Sequence, residues 1–153
     1  MTALTEEQQE RLDIINHKLK FTEQRPTVAV IRSLDPIVLA ADDMTKLINM
    51  AGGVLIEGDE QTLLSLNSDV LVLMPDETPI AQIMASIDQL LQLPGFTDLS
   101  AIKNNRLYIV DSETDNDDAA ESTVETIEML AEMIYPKQFI FGYEGTRWIK
   151  FTI

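Results

Sequence analysis

Cysteine is absent from the 153 residues, and histidine and tryptophan occur once each. Without Cys there can be no disulfide, no thiol nucleophile and no thiolate-bound zinc or iron–sulfur centre. A lone His17 excludes multi-histidine metal sites and leaves no basis for a His-centred triad. Basic residues are scarce too: 11 Lys and Arg stand against 26 Asp and Glu, a formal net charge of −15. Such a balance opposes binding to nucleic-acid phosphates, which requires Lys and Arg to displace counterions. It equally opposes docking on an anionic membrane surface. No run approaches the roughly 18 apolar residues of a membrane span, and the opening Met1-Thr2-Ala3-Leu4-Thr5-Glu6-Glu7 has neither the basic nor the apolar region of a secretory signal. The expectation is a soluble, acidic, single domain, cytoplasmic as the chain stands and periplasmic if it is a piece of an exported protein.

The charge is unevenly placed. Between Ser33 and Ile102 there are eleven acids and one base, Lys46, and between Asp111 and Tyr135 nine acids and no base. Five of the eleven bases fall in the first 32 residues. A solvated acidic surface accounts for this pattern; the sharper alternative is an acidic face for a cationic ligand or a basic partner.

Periodicity supplies the elements. Thr5 can cap a helix whose apolar stripe is Leu12, Ile15 and Leu19 and which carries an exposed His17. Four short apolar runs follow, Thr27–Ile31, Val54–Ile56, Asp69–Met74 and Arg106–Val110, each read as a buried strand. Helical segments separate them: Asp42–Ala51, ended by Gly52-Gly53; Asp59–Leu66; a helix capped by Thr78 with Pro79 at its first position, running to Leu91; and a short turn at Asp98–Lys103. A long helix over Ala119–Ile134 comes last. Alternation of this kind predicts an α/β, three-layer Rossmann-like lobe with a mainly parallel four-stranded sheet between helices. Residues 1–137 form that lobe with its leading helix. Residues 138–153 are expected to add a C-terminal β-hairpin turning near Glu144-Gly145, whose Tyr143 and Trp148 suit an interface with another copy.

The order of these pieces carries a resemblance. Arg25-Pro26-Thr27-Val28-Ala29-Val30, Asp35-Pro36, Ala51-Gly52-Gly53 and Leu64-Ser65-Leu66-Asn67-Ser68-Asp69-Val70-Leu71-Val72-Leu73-Met74-Pro75 come in sequence. Then come Leu93-Pro94-Gly95-Phe96-Thr97-Asp98-Leu99-Ser100-Ala101-Ile102 through Arg106-Leu107-Tyr108-Ile109-Val110-Asp111, and Ile127 to Pro136. Together they resemble the C-terminal lobe of the substrate-binding proteins that serve ABC importers of cobalamin and iron complexes. The resemblance implies a ligand held between two lobes by loops at the carboxyl ends of the strands, the place where open α/β sheets bind ligands in general. It also marks departures. Ser33-Leu34 stands where the family often has an acid and Trp before Asp-Pro, and Asp42-Asp43-Met44 where it favours Gly-x-Trp. Asp76-Glu77 follows Met74-Pro75, and Ser112-Glu113-Thr114-Asp115 replaces an aromatic loop.

The candidate ligand rim is therefore Ser33, Leu34, Asp35, Asp42, Asp43, Met44, Asp76, Glu77, Glu113 and Asp115, with the corrinoid site degenerate. Oxygen ligands suit calcium, but the run from Asp111 has Asn116 at the glycine position of an EF-hand loop and Ser122 where its bidentate Glu belongs. No metal, cofactor or catalytic residue is assigned, because nothing fixes two carboxylates at a defined separation in an apolar pocket. Methionines 44, 50, 74, 84, 129 and 133 mostly fall at core spacing. The expected activity is non-enzymatic: protein contacts, as a homo-oligomer, with a small-molecule ligand of the cobalamin or iron-complex class as the alternative.

Overall fold

The structure is a computed structural model that describes residues 5–20, 25–34, 37–39, 43–58, 60–66, 68–74, 80–110, 119–145 and 147–151. Its elements are α1 (Glu6–Leu19), β1 (Thr27–Leu34), β2 (Ile37–Leu39), α2 (Asp43–Met50), β3 (Val54–Leu55), α3 (Glu60–Leu66), β4 (Val70–Leu73), α4 (Ile80–Leu91), α5 (Ser100–Lys103), β5 (Leu107–Val110), α6 (Ala119–Ile134) and β6 (Trp148–Phe151), with a 3-10 turn over Phe96–Asp98 before α5. Thr78 and Pro79, the expected start of α4, lie outside the described residues.

The four apolar runs are the four parallel strands. β1 pairs in parallel with β3 on one side and β4 on the other, and β4 pairs in parallel with β5. β4, β5 and the Val28–Ile31 stretch of β1 alternate between two covered faces, which is why no polar residue interrupts those runs, whereas the two-residue β3 is partly exposed. Val28, Val30, Val70, Val72, Tyr108 and Val110 face α1, α2 and α6. Ala29, Ile31, Leu71, Leu73, Leu107 and Ile109 face α4, α5 and the turn before it. Burying an aliphatic side chain of this size completely is worth about 1.5–3 kcal/mol, so the double layer is the main source of stability.

Local signals agree with this arrangement. α1 begins with a capping box: Thr5 Oγ1 accepts from Gln8 N at 3.1 Å and Gln8 Oε1 accepts from Thr5 N at 3.0 Å. α2 ends at the two glycines, where Gly53 N donates to Ile48 O (2.9 Å) and Gly52 N to Asn49 O (3.2 Å), a Schellman closure with Gly52 at φ +95°. Gly52 is needed for space as well as angle. A Cβ there would stand 2.6 Å from both Leu19 and Tyr135 side-chain atoms, because α1 and the end of α6 converge on this corner.

Two elements differ from expectation. β2 folds back antiparallel along the end of β1, pairing Ser33 with Val38 and Leu34 with Ile37; Ile37-Val38-Leu39 is too short to show a period in sequence. The C-terminal hairpin is only half formed. Its turn lies where expected, with Arg147 N donating to Tyr143 O (2.8 Å) and Gly145 N to Trp148 O (2.7 Å). Its second arm, β6, extends the sheet antiparallel to β5. The first arm is not a strand, because the N–H groups of Phe141 and Gly142 donate to the Glu132 carboxylate at 2.7 and 3.1 Å.

Candidate functional site

The chain order places a crevice before any side chain is considered. From β1 the chain moves to β3 on one side, then crosses to β4 and β5 on the other. The direction of winding thus reverses between β1 and β4, and the carboxyl ends of these two strands form the topological switch point at which open α/β sheets take ligands. Leu34, the last residue of β1, and Met74, just past β4, flank it.

The expected rim residues divide into three groups. Asp35, Asp42, Asp76, Glu77, Glu113 and Asp115 lie outside the described residues. Ser33 and Leu34 end β1 beside the switch point, held by β2, and Asp43 opens α2. Met44 is not on the rim: it is 3% exposed and packs in the core between α2 and the sheet, since its place on α2's apolar stripe turns it inward. Met129 and Met133 are buried likewise, whereas Met50 and Met84 stand partly exposed. Among the described residues no group of three or more His, Asp or Glu side chains could hold a metal ion, and no helix is long and apolar enough to cross a membrane.

The aromatic residues assigned to an interface serve the fold instead. Trp148 is 3% exposed, meets Tyr108 edge to face at 5.3 Å, and donates its indole N–H to Glu132 Oε1 at 3.2 Å. It is an internal residue and cannot anchor a partner, because a one-residue step along β6 alternates faces and Trp148 falls on the buried one. Tyr143 is half-buried, and its hydroxyl donates to Glu128 Oε1 at 2.8 Å.

These contacts belong to a charged stripe that sequence reasoning took for solvated surface. Glu121, Glu125, Glu128 and Glu132 recur at i, i+4, i+7 and i+11 on α6, one face of a helix. Glu128 (4% exposed) and Glu132 (3% exposed) are buried. Arg11 of α1 bridges Glu121 at 2.6 Å and Glu128 more closely still, with Gln8 Nε2 donating to Glu121 at 3.0 Å. Arg147, in the turn before β6, pairs with Glu125 at 2.9 Å. The hydrogen bond to Glu128 raises the Arg11 pKa, against the opposing effect of burial. Burial, then the bond to Glu128, raises that of Tyr143. Glu128 and Glu132 have both oxygen atoms engaged, so they fasten α1 and the C-terminal segment to α6 and have no lone pair directed at a substrate. An i+4/i+7 acidic stripe on an otherwise apolar helix was the available signal.

The comparisons bear on the crevice. Among solved structures, an ABC transporter substrate-binding protein from Listeria monocytogenes matches with a TM-score of 0.71 at 18% identity, covering 85% of this chain and 55% of that one. The chain has the fold of a binding-protein half. A TroA-like periplasmic binding protein, FepB from Veillonella parvula, gives a TM-score of 0.67 at 17% identity, with 86% and 46% covered. S. aureus IsdE complexed with heme gives 0.67 at 18%, with 83% and 54% covered. No protein-family model matches the chain, and no curated protein does. The chain therefore spans about half the length of the structures it matches, and the switch-point crevice is the part of such a half that its strand order creates.

Proposed function

We propose that this binding-protein half is non-enzymatic and works by facing a second protein surface across its switch-point rim, with a second copy as the partner and without a corrinoid site of its own. One observation carries the reading: the sheet is wound about a crevice between β1 and β4, while Tyr108 and Trp148 are buried in the core, and the sequence that follows the strands is rich in acids where aromatic residues would suit a ligand. Asp35, Asp42, Asp43, Asp76, Glu77, Glu113 and Asp115 would then supply the charge of the contact, met by bases that the second copy presents from outside its own rim.

A second reading is supported by the heme complex of S. aureus IsdE: two facing halves rebuild a cleft for cobalamin or an iron complex, as the binding component of an ABC importer. Light scattering and thermal denaturation separate the two. The first reading expects a dimer that the Asp76→Lys, Glu77→Lys double variant turns into a monomer, and no stabilisation by cobalamin, hemin or a ferric hydroxamate. The second expects one of these compounds to stabilise the protein, by about 2.7 kcal/mol at a hundredfold excess over its Kd. A monomer that binds none of the three defeats both.

A further inference from the structure

At the opposite end of the sheet, where the parallel strands begin, lies an open hollow of about 400 Å³. Three of the chain's eleven bases line it: Arg106 leading into β5, Lys137 just past α6, and Lys150 on β6 across from Tyr108. Asn104, Gln138 and the edge of Tyr108 complete the polar part of its wall, and no acidic side chain among the described residues lines it. Arg106 is held in place, its Nη2 donating to the last carbonyls of α6, Met133 O at 3.0 Å and Ile134 O at 2.6 Å. These bonds cover the negative end of the helix dipole, which would otherwise repel an anion. Lys137 and Lys150 are exposed and pair with no carboxylate among the described residues.

In a chain with 26 acids, a base has abundant partners, and Arg11 and Arg147 each take one or more. Three cations gathered in a concavity that no described acid lines repel one another, and a bound anion relieves that repulsion. Asp69 lines a smaller adjoining hollow that shares Asn104 and Arg106, but its Oδ2 already accepts from Thr27 N and Thr27 Oγ1 at 3.0 and 3.2 Å. We propose that the hollow formed by Arg106, Lys137 and Lys150 is a binding site for a small oxyanion of multiple charge. Arg106 supplies a positive charge fixed in place by its bonds to the end of α6, and the two lysines supply mobile point charges at either side. The site is independent of the switch-point rim, from which it is separated by the length of the strands.

Pyrophosphate and citrate, titrated into the intact chain at constant ionic strength and followed by amide NMR and calorimetry, test the proposal and distinguish phosphate from carboxylate ligands. Saturable shifts are expected at residues 104–108, 134–138 and 150 with at least one of the two. The Lys137→Gln, Lys150→Gln double variant should weaken binding at least tenfold, while Lys46→Gln, an equal charge change per residue lost on α2, should leave it unchanged. Both lysines are exposed, and the amide spectrum verifies that the variants remain folded. Responses no larger than those to chloride at the same ionic strength, or binding that survives the double variant, overturn the proposal.

Discussion

The two faces of the sheet are built on different terms. On the α4–α5 side the core is apolar throughout, from Ile31 and Leu73 on the strands to Ile83, Ile87, Phe96 and Leu99 above them. On the α1–α6 side the apolar core is bordered by buried carboxylates, Glu128 and Glu132, that hold two chain ends in place. Apolar packing is non-directional and tolerates repacking, whereas a buried carboxylate requires particular partners. The first face can therefore be altered by volume and the second only by replacing partners together.

The contrast is sharpest at Glu132. Glu132→Leu strands the Trp148 indole N–H and two backbone N–H groups, and the expected loss is about 3 kcal/mol or more in urea denaturation. Ile87→Leu on the other face should cost less than about 1.5 kcal/mol. Equal losses would show that the two faces are built alike. Gly52→Ala tests the corner where α1, α2 and α6 meet. A positive φ and a 2.6 Å approach to Leu19 and Tyr135 should together cost about 2 kcal/mol in thermal denaturation.

Smaller effects test whether the charges act as a unit. Arg11→Met and Glu128→Gln should each destabilise the chain, and the double variant should lose less than their sum, by about 0.5–3 kcal/mol in a double-mutant cycle. Additive losses would mean that Arg11 acts through Glu121 alone. The smallest effect concerns pH. Tyr143 is held protonated in the fold above its ordinary value of 10.0, so above that pH the unfolded chain binds fewer protons than the folded one. Stability present below pH 10 is then lost as pH rises toward the folded pKa. Tyr143→Phe should flatten the alkaline limb of a stability-versus-pH curve, and an unchanged slope would assign that limb to other groups.

Much of this architecture was legible beforehand, for a physical reason. A run such as Val70-Leu71-Val72-Leu73 has both faces buried, and only a strand covered on two sides permits that. Gly52-Gly53 marks a left-handed helix end because few other residues adopt that angle. The carboxyl end of the parallel strands was legible as the place for a crevice, because alternating strands and helices imply it. Met44 was placed on the rim by the resemblance although its core spacing already turned it inward, and Trp148 was misplaced because one aromatic residue in a short strand shows no period.

Local periodicity, then, determined the parallel strands, the helices between them and the end of the sheet that forms a crevice. The tertiary structure alone decided the fate of the polar groups. Glu121 and Glu128 meet Arg11 across 110 and 117 residues of chain, and Glu132 takes the N–H groups that a second hairpin strand would have used. Hydrophobic burial is a property of each residue and its near neighbours, so it is written along the chain. A buried charge is stabilised only by partners that the fold brings to it, and these have no fixed spacing in sequence. The same holds for Arg106, Lys137 and Lys150, three separated bases that become one hollow only when β5, α6 and β6 are assembled.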